Sequence, residues 1–296
     1  MQLIRQGATA GRVELSGLRG AVPVSVAVSL SATEPKRARL DGAVLRSAEA
    51  LRGELATLVF TPDRLVVVKG GPATRRAYVD RSLARLYPAR AHLPLDYATA
   101  VGQRNAALRR VALGLSDRDV LAPWTAQVVD VGAMLTAARR DVVELLHPGL
   151  AERAGELGLP DVSLGYDAEP PTITKLDERL TRDIERGTTG AGPHLDEIAI
   201  RCAGRDLRTF GSQGEQRLAV LALLLAEAEL IAERRRVPPL LLLDDALSEL
   251  DDARRRTLSE RIGAVGQTIV TATGAEALPL APAQLLRVTP GRVEAA

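Results

Sequence analysis

Along residues 12–30 (RVELSGLRGAVPVSVAVSL) apolar and polar positions alternate in short runs, the period of strands with one covered face. Residues 43–55 read as a short helix and 56–60 (ATLVF) as a buried strand. From residue 74 to about 155 the texture changes. Apolar residues recur at spacings of three and four with arginines between them, which predicts a block of helices punctuated by Pro88, Pro94 and Pro148. Residues 162–168 read as a strand and 172–187 as an amphipathic helix stopped by glycine. Residues 194–210 read as a hairpin turning at Ala203-Gly204, and 212–236 as a long helix opened by a serine.

The remaining pattern is LLLLDD as a strand, a helix over DARRRTLSERIG, QTIVTAT as another buried strand, and two short closing strands. Strand–helix–strand alternation after residue 236 predicts a parallel α/β sheet, and the first 60 residues can supply its missing edge. The all-helical block is then an insertion between the two ends of one layered unit.

Length allows one large or two ordinary domains. Longer apolar runs are interrupted before the roughly 18 to 20 residues a bilayer requires, so no membrane association and a cytoplasmic location are expected. A single cysteine, Cys202, excludes a disulfide framework and a cysteine-rich zinc site. The formal net charge is +2, so the chain is not a polycation, but its cations are nearly all arginine, suited to phosphate through a rigid fork of donors. Aromatic residues make up 2%, too few for base-stacking platforms. His92 and His147 sit beside prolines at expected helix boundaries and read as surface or capping residues, and Trp124 reads as core.

Two stretches carry chemistry. In PPLLLLDDALSELDD an aliphatic strand delivers Asp244 and Asp245 to its carboxyl end, where α/β sheets bind ligands. One carboxylate there can hold Mg²⁺ through water and the next can orient an attacking water. Taken alone, the same acids would equally cap the following helix. In TFGSQGEQRLAVLALLL, Ser212, Gln213, Gly214 and Gln216 open the long helix, whose free amides and dipole favour an anion.

The order SQGEQR, long helix, LLLLDDALSELD resembles the C-terminal signature of the RecF family, bacterial recombination-mediator ATPases related to structural-maintenance-of-chromosomes (SMC) proteins. YATAVGQRNAAL (97–108), RGTTGAGPHLDEIAI (186–200) and GQTIVTAT (266–273) resemble further family segments in the same order. The resemblance implies an ABC-type, SMC-like ATPase head: an α/β P-loop lobe from residues 1–58 and 235–296, with a mainly helical lobe over 59–234. It implies ATP and Mg²⁺ as cofactors, an ATP-dependent homodimer on single-stranded or gapped DNA, RecO and RecR as partners, and a link to the SOS response. Asp244 would then hold Mg²⁺ through water and Asp245 would take the catalytic-base position of a weak, DNA-dependent ATPase. Ser212, Gln213, Gly214, Gln216, Ser248 and Asp251 would close the partner's ATP site. Arg75, Arg76, Arg81 and Arg85 on one segment, with Arg104, Arg109 and Arg110 on the next, would form a basic face for DNA.

Two departures from the family pattern stand out. GPHLDE carries Leu195 and Glu197 where the family usually has arginine and aspartate. The family's phosphate loop needs Gly-Lys-Ser/Thr, and Lys36, Lys69 and Lys175 all lack those neighbours. That loop is expected upstream of Met1, in a segment of roughly 70 residues, and this chain alone is expected to bind ATP poorly and not to hydrolyse it. The alternative is a shortened DNA- or partner-binding form without ATPase activity. A different ABC-type chromosome protein fits less well, because no long coiled-coil heptads occur.

Overall fold

The computed structural model describes residues 3–45, 51, 54–274, 278–279 and 281–296. Four strands open the chain: β1 (Ala10–Arg19), β2 (Val22–Ser31), β3 (Arg37–Leu40) and β4 (Ala43–Leu45), paired antiparallel in that order. The tight turn between β3 and β4 is Asp41-Gly42, both at positive φ (48° and 83°). This Asp-Gly signal for a two-residue hairpin overrides the helix expected from residue 43. Leu51 and Glu54 are helical, and the rest of 46–53 lies outside the described residues.

A three-stranded parallel sheet joins the two halves of the chain. β9 (Leu240–Asp244) lies between β5 (Thr57–Phe60) and β10 (Thr268–Thr271). Leu241 and Leu243 on the central strand are buried, which accounts for its aliphatic run. The early strand therefore does supply an edge of the late sheet.

After Phe60 the chain leaves this sheet for helices: α1 (Val66–Lys69), α2 (Pro72–Leu86), α3 (Leu93–Ala112) and α4 (Ala122–Glu156). Pro94 sits in the first turn of α3, where its missing N–H costs nothing. Pro148 does not end a segment as expected; it lies inside the 35-residue α4, which continues past it to Glu156. A window of α4 with mean hydropathy 1.2 is apolar enough to span a bilayer by composition. In the fold, Val128, Leu135, Val142 and Leu146 of this helix are buried in the core.

A small antiparallel sheet, β6 (Val162–Tyr166), β7 (Ile198–Cys202) and β8 (Arg205–Asp206), packs on α4. Its β7–β8 turn is Ala203-Gly204 as predicted, with φ of 47° and 75°. The single helix expected over 172–187 is two, α5 (Ile173–Glu178) and α6 (Leu180–Arg186), joined at Arg179; Gly187, at φ 63°, stops the second. A short α7 (Leu207–Phe210) leads into α8 (Gln213–Arg235), and α9 (Asp252–Val265) follows the acidic strand. Strands β11 (Leu286–Thr289) and β12 (Arg292–Ala295) close the chain.

The 23-residue α8 is the axis of the molecule. Every residue from Gln216 to Ala228 is buried, so it has no solvent face there. It packs against α4 on one side and reaches the parallel sheet on the other. Within this apolar helix Glu227 is buried, accepting from Tyr78 Oη at 2.7 Å and from Arg85 Nη1 at 2.8 Å, both on α2. Burial and the neighbouring Glu227 carboxylate push the Tyr78 phenol well above its ordinary pKa, so it stays a donor. Removing one member strands a buried charge. Glu227→Ala is therefore expected to lower the unfolding free energy by about 3–5 kcal/mol in urea titrations; a loss below about 1 kcal/mol would show the triad to be unimportant.

Candidate functional site

Asp244 is the last residue of β9 and is exposed. Its Oδ1 accepts from Thr271 Oγ1 at 2.5 Å, on the neighbouring end of β10. The chain then turns sharply at Asp245, which adopts a left-handed φ of 51°. The Asp245 N–H donates to the Thr271 carbonyl at 3.2 Å, so one threonine fixes both aspartates. Ala246, Leu247 and Leu250 are buried and anchor the following loop. Ser248 is exposed and donates through Oγ to the Asp245 carbonyl at 3.2 Å. Asp251 caps α9 by accepting from the Arg254 N–H at 2.9 Å. The capping role weighed in the sequence thus belongs to Asp251, and Asp244 is left at the strand end.

The other candidate motif opens α8. Ser212 Oγ accepts from the Glu215 N–H at 3.2 Å, and Glu215 Oε2 accepts from the Ser212 N–H at 2.7 Å, a reciprocal capping box. That bonding draws the Glu215 carboxyl below its ordinary range. Gln213 and Gly214 are exposed on the first turn. Gln216 is buried: its Nε2 donates to the carbonyls of Leu207 (2.8 Å) and Gly211 (3.1 Å). Its side chain therefore holds the signature loop in shape from beneath.

Arg217, which the sequence reading passed over, joins the two motifs. It is buried on α8 and donates through Nη2 to the Asp245 carbonyl at 3.2 Å. Its Nη1 lies 2.8 Å from Glu249 Oε2, and its guanidinium sits 5.6 Å from the Phe60 ring centroid. One signal was visible: a lone arginine at the head of RLAVLALLL, a stretch with no other charge. Thr271 had no comparable signal, because its importance depends on strand register. Among the described residues no group of three or more His, Cys, Asp or Glu is arranged to hold a metal. A magnesium held through water needs only one or two carboxylates and the phosphates, and Asp244 fits that demand.

The arginine face expected on α2 and α3 requires correction. Arg104 is fully buried; it donates from Nη1 to Asp183 Oδ2 and Thr189 Oγ1, both at 2.9 Å, and from Nε to Thr125 at 3.2 Å. Arg75 is buried against Glu197 and the carbonyls of Val68 and Gly70. Arg85 is committed to Glu227. These three guanidinium groups are consumed inside the fold and do not face a DNA backbone. Arg76, half-buried, donates to the Asp196 carbonyl at 2.6 Å, and Arg81 is half-buried as well. Arg109 and Arg110 are exposed, with Arg109 also donating to the Gly187 carbonyl at 3.3 Å.

Three neighbours are the reason: the GPHLDE loop takes Arg75, the 183–189 stretch takes Arg104, and α8 takes Arg85. The GPHLDE loop also meets α3 and α4. Arg139 of α4 donates to the Pro193 carbonyl at 2.7 Å, and Tyr166 donates to Asp196 Oδ2 at 2.5 Å. Burial and that carboxylate push the Tyr166 hydroxyl up to about 12. His194 accepts at Nδ1 from Tyr97 Oη (2.8 Å) and donates from Nε2 to the Thr189 carbonyl (2.9 Å), the pattern of a neutral imidazole. Leu195 is exposed. Two other expectations also change: His147 lies mid-helix and accepts from the Leu164 N–H at 3.1 Å, and Trp124 is only partly buried, beside Leu108 and Leu121.

No family model matches the chain. Many curated relatives do, among them three named DNA replication and repair protein RecF. That from Anaeromyxobacter dehalogenans (strain 2CP-1) is 37% identical, covering 92% of this chain and 77% of the relative. That from Lachnoclostridium phytofermentans is 35% identical, covering 83% and 70%. That from Synechococcus sp. (strain JA-3-3Ab) is 33% identical, covering 99% and 82%. Among solved structures, the recombination mediator RecF with ATP superposes at a TM-score of 0.87 and 23% identity, over 100% of this chain and 82% of that one. An SMC head bound to the ScpA winged-helix domain superposes at 0.51 and 13% identity, over 98% and 74%. The chain has the mixed α/β fold of ABC-type ATPase heads, the kind shared with SMC heads. By its relatives, the chain belongs to the RecF family.

The His194 network has a pH signature. Burial holds its imidazole below the ordinary value of 6.5. As pH falls the unfolded chain takes up the proton first, so the stability gained from neutral His194 is complete above about pH 6.5 and lost below it. Unfolding free energy should decline as pH falls below about 6.5, and His194→Gln should flatten that decline. An unchanged slope in the variant would show that His194 does not titrate between folded and unfolded states.

Proposed function

We propose that this chain acts in DNA replication and recombinational repair as an ATP-dependent homodimer on gapped or single-stranded DNA. In this reading it works with RecO and RecR and feeds the SOS response. The support is its curated relatives, named for DNA replication and repair, and a neighbour described as a recombination mediator with ATP in the RecFOR pathway. The observation that carries the reading is the Arg217 joint, which sets the signature helix against the acidic strand end.

In this reading Asp244 holds Mg²⁺ through water, using the carboxylate oxygen that Thr271 does not engage. Asp245 takes the catalytic-base position; its short side chain and pinned backbone suit slow, switch-like turnover. Ser212, Gln213 and Gly214 present hydroxyl and amide donors to a nucleotide on the partner, while Gln216 acts indirectly by supporting their loop. Ser248 and Asp251 lie on the loop that crosses to the other subunit. Magnesium and ATP supply charge neutralisation and binding energy for the dimer.

A second reading, DNA or partner binding without hydrolysis, draws on the lack of a Gly-Lys-Ser/Thr triplet in these 296 residues. One titration series separates the two. Fluorescence anisotropy on a labelled gapped duplex should show binding at about 50 mM salt that weakens steeply by about 200 mM. Calorimetry on the same sample should show micromolar ATP affinity under the first reading and, for want of a phosphate cradle, affinity weaker than about 1 mM under the second. Micromolar ATP binding would overturn the second reading, affinity weaker than about 1 mM would overturn ATP dependence in this chain, and no DNA binding at the lower salt would overturn the first reading and leave only partner binding for the second.

A further inference from the structure

Burial of Arg75, Arg85 and Arg104 leaves open where the lobe meets phosphate. Helices α3 and α6 run side by side in the same direction: Arg104 pairs with Asp183, and one turn further on Arg109 donates to the Gly187 carbonyl. Leu180 and Ile184 of α6 pack against the cluster of Ala107 and Leu108 of α3 with Leu121, so α6 buries one stripe. Its outward positions carry Arg182 and Arg186, both exposed, and Arg109 and Arg110 are exposed on the last turn of α3, where Arg109 meets Gly187 just after Arg186. On α6 and the last two turns of α3 the acids are Asp183, buried against Arg104, and Glu185. Asp117 and Asp119, with Arg118 between them, follow beyond the end of α3.

We infer that Arg109, Arg110, Arg182 and Arg186 form a phosphate-tracking ridge that seats the backbone of bound DNA. The inference rests on the reading that the chain binds DNA, and it assigns that binding to a surface on which α6 contributes as much as α3. Arginine forks match phosphate oxygens. Arg182 and Arg186 are four residues apart on a helix, about 6 Å along its axis, roughly two phosphate steps of one strand along a duplex. Contacts to phosphate of this kind fix the register of DNA without carrying sequence information. An acidic protein would also be attracted, but the even phosphate spacing favours a nucleic-acid backbone.

The test compares the full chain with Arg182→Glu/Arg186→Glu and with Arg287→Glu, an exposed arginine on β11 well separated in sequence. Each is titrated onto the same labelled gapped duplex across a salt series. The double variant should bind at least about tenfold more weakly, and the slope of log affinity against log salt should fall by about 2, near 0.9 per lost phosphate contact. Arg287→Glu should match the parent, and circular dichroism should show the double variant folded. If the parent binds DNA and the double variant binds equally well with an unchanged slope, the ridge is wrong although the DNA reading stands. If the parent fails to bind, the DNA reading itself fails.

Discussion

The buried guanidinium of Arg217 is the constraint on which the site depends. It sits at the head of α8 with Phe60 of β5 on one side, the Asp245 carbonyl on another and Glu249 at its outer edge. A buried cation must be paired, and here its partners come from the far strand of the sheet and from the loop after the acidic strand. Glu249 is largely exposed, so its share of the attraction is screened, and the carbonyl and ring contacts set the geometry. Through this one side chain the signature helix, β5 and the loop after β9 form a single piece. Glu227 then ties the middle of the same helix to α2.

A second group of buried charges braces the helical lobe. Arg75, Arg104 and Arg139 each reach the 183–197 segment, and each is satisfied by carboxylates, hydroxyls or carbonyls there. Buried ion pairs of this sort are strong evidence of a fixed arrangement and weak evidence of net stabilisation. They also divide the arginines by role. Those facing the GPHLDE loop hold the lobe together, and those at the ends of α3 and α6 remain for solvent or a polyanion.

Much of the site was legible in the sequence because its signals are local. An aliphatic run ending in two aspartates reads as a buried parallel strand, and the serine opening the long helix reads as its cap, to which the structure adds the reciprocal bond of Glu215. The Ala203-Gly204 turn was equally plain, since both residues adopt the positive φ that such a hairpin requires. The misses come from long-range structure. Helical spacing sets Arg75 among the arginines of α2 and Arg104 among those of α3, but does not show that residues about 80 to 120 positions away will cover them. Pro148 was read as a stop, yet α4 is packed on several sides and continues through it. Thr271 acquires its position only when β10 pairs with β9.

Arg217 locks the loop after the acidic strand to the signature helix, and amide hydrogen exchange in Arg217→Met is the test. In that variant amides from Asp245 to Leu250 should exchange at least about tenfold faster, a local opening cheaper by about 1.4 kcal/mol, while Leu241 to Leu243 keep their protection. Unchanged exchange from Asp245 to Leu250 would contradict it.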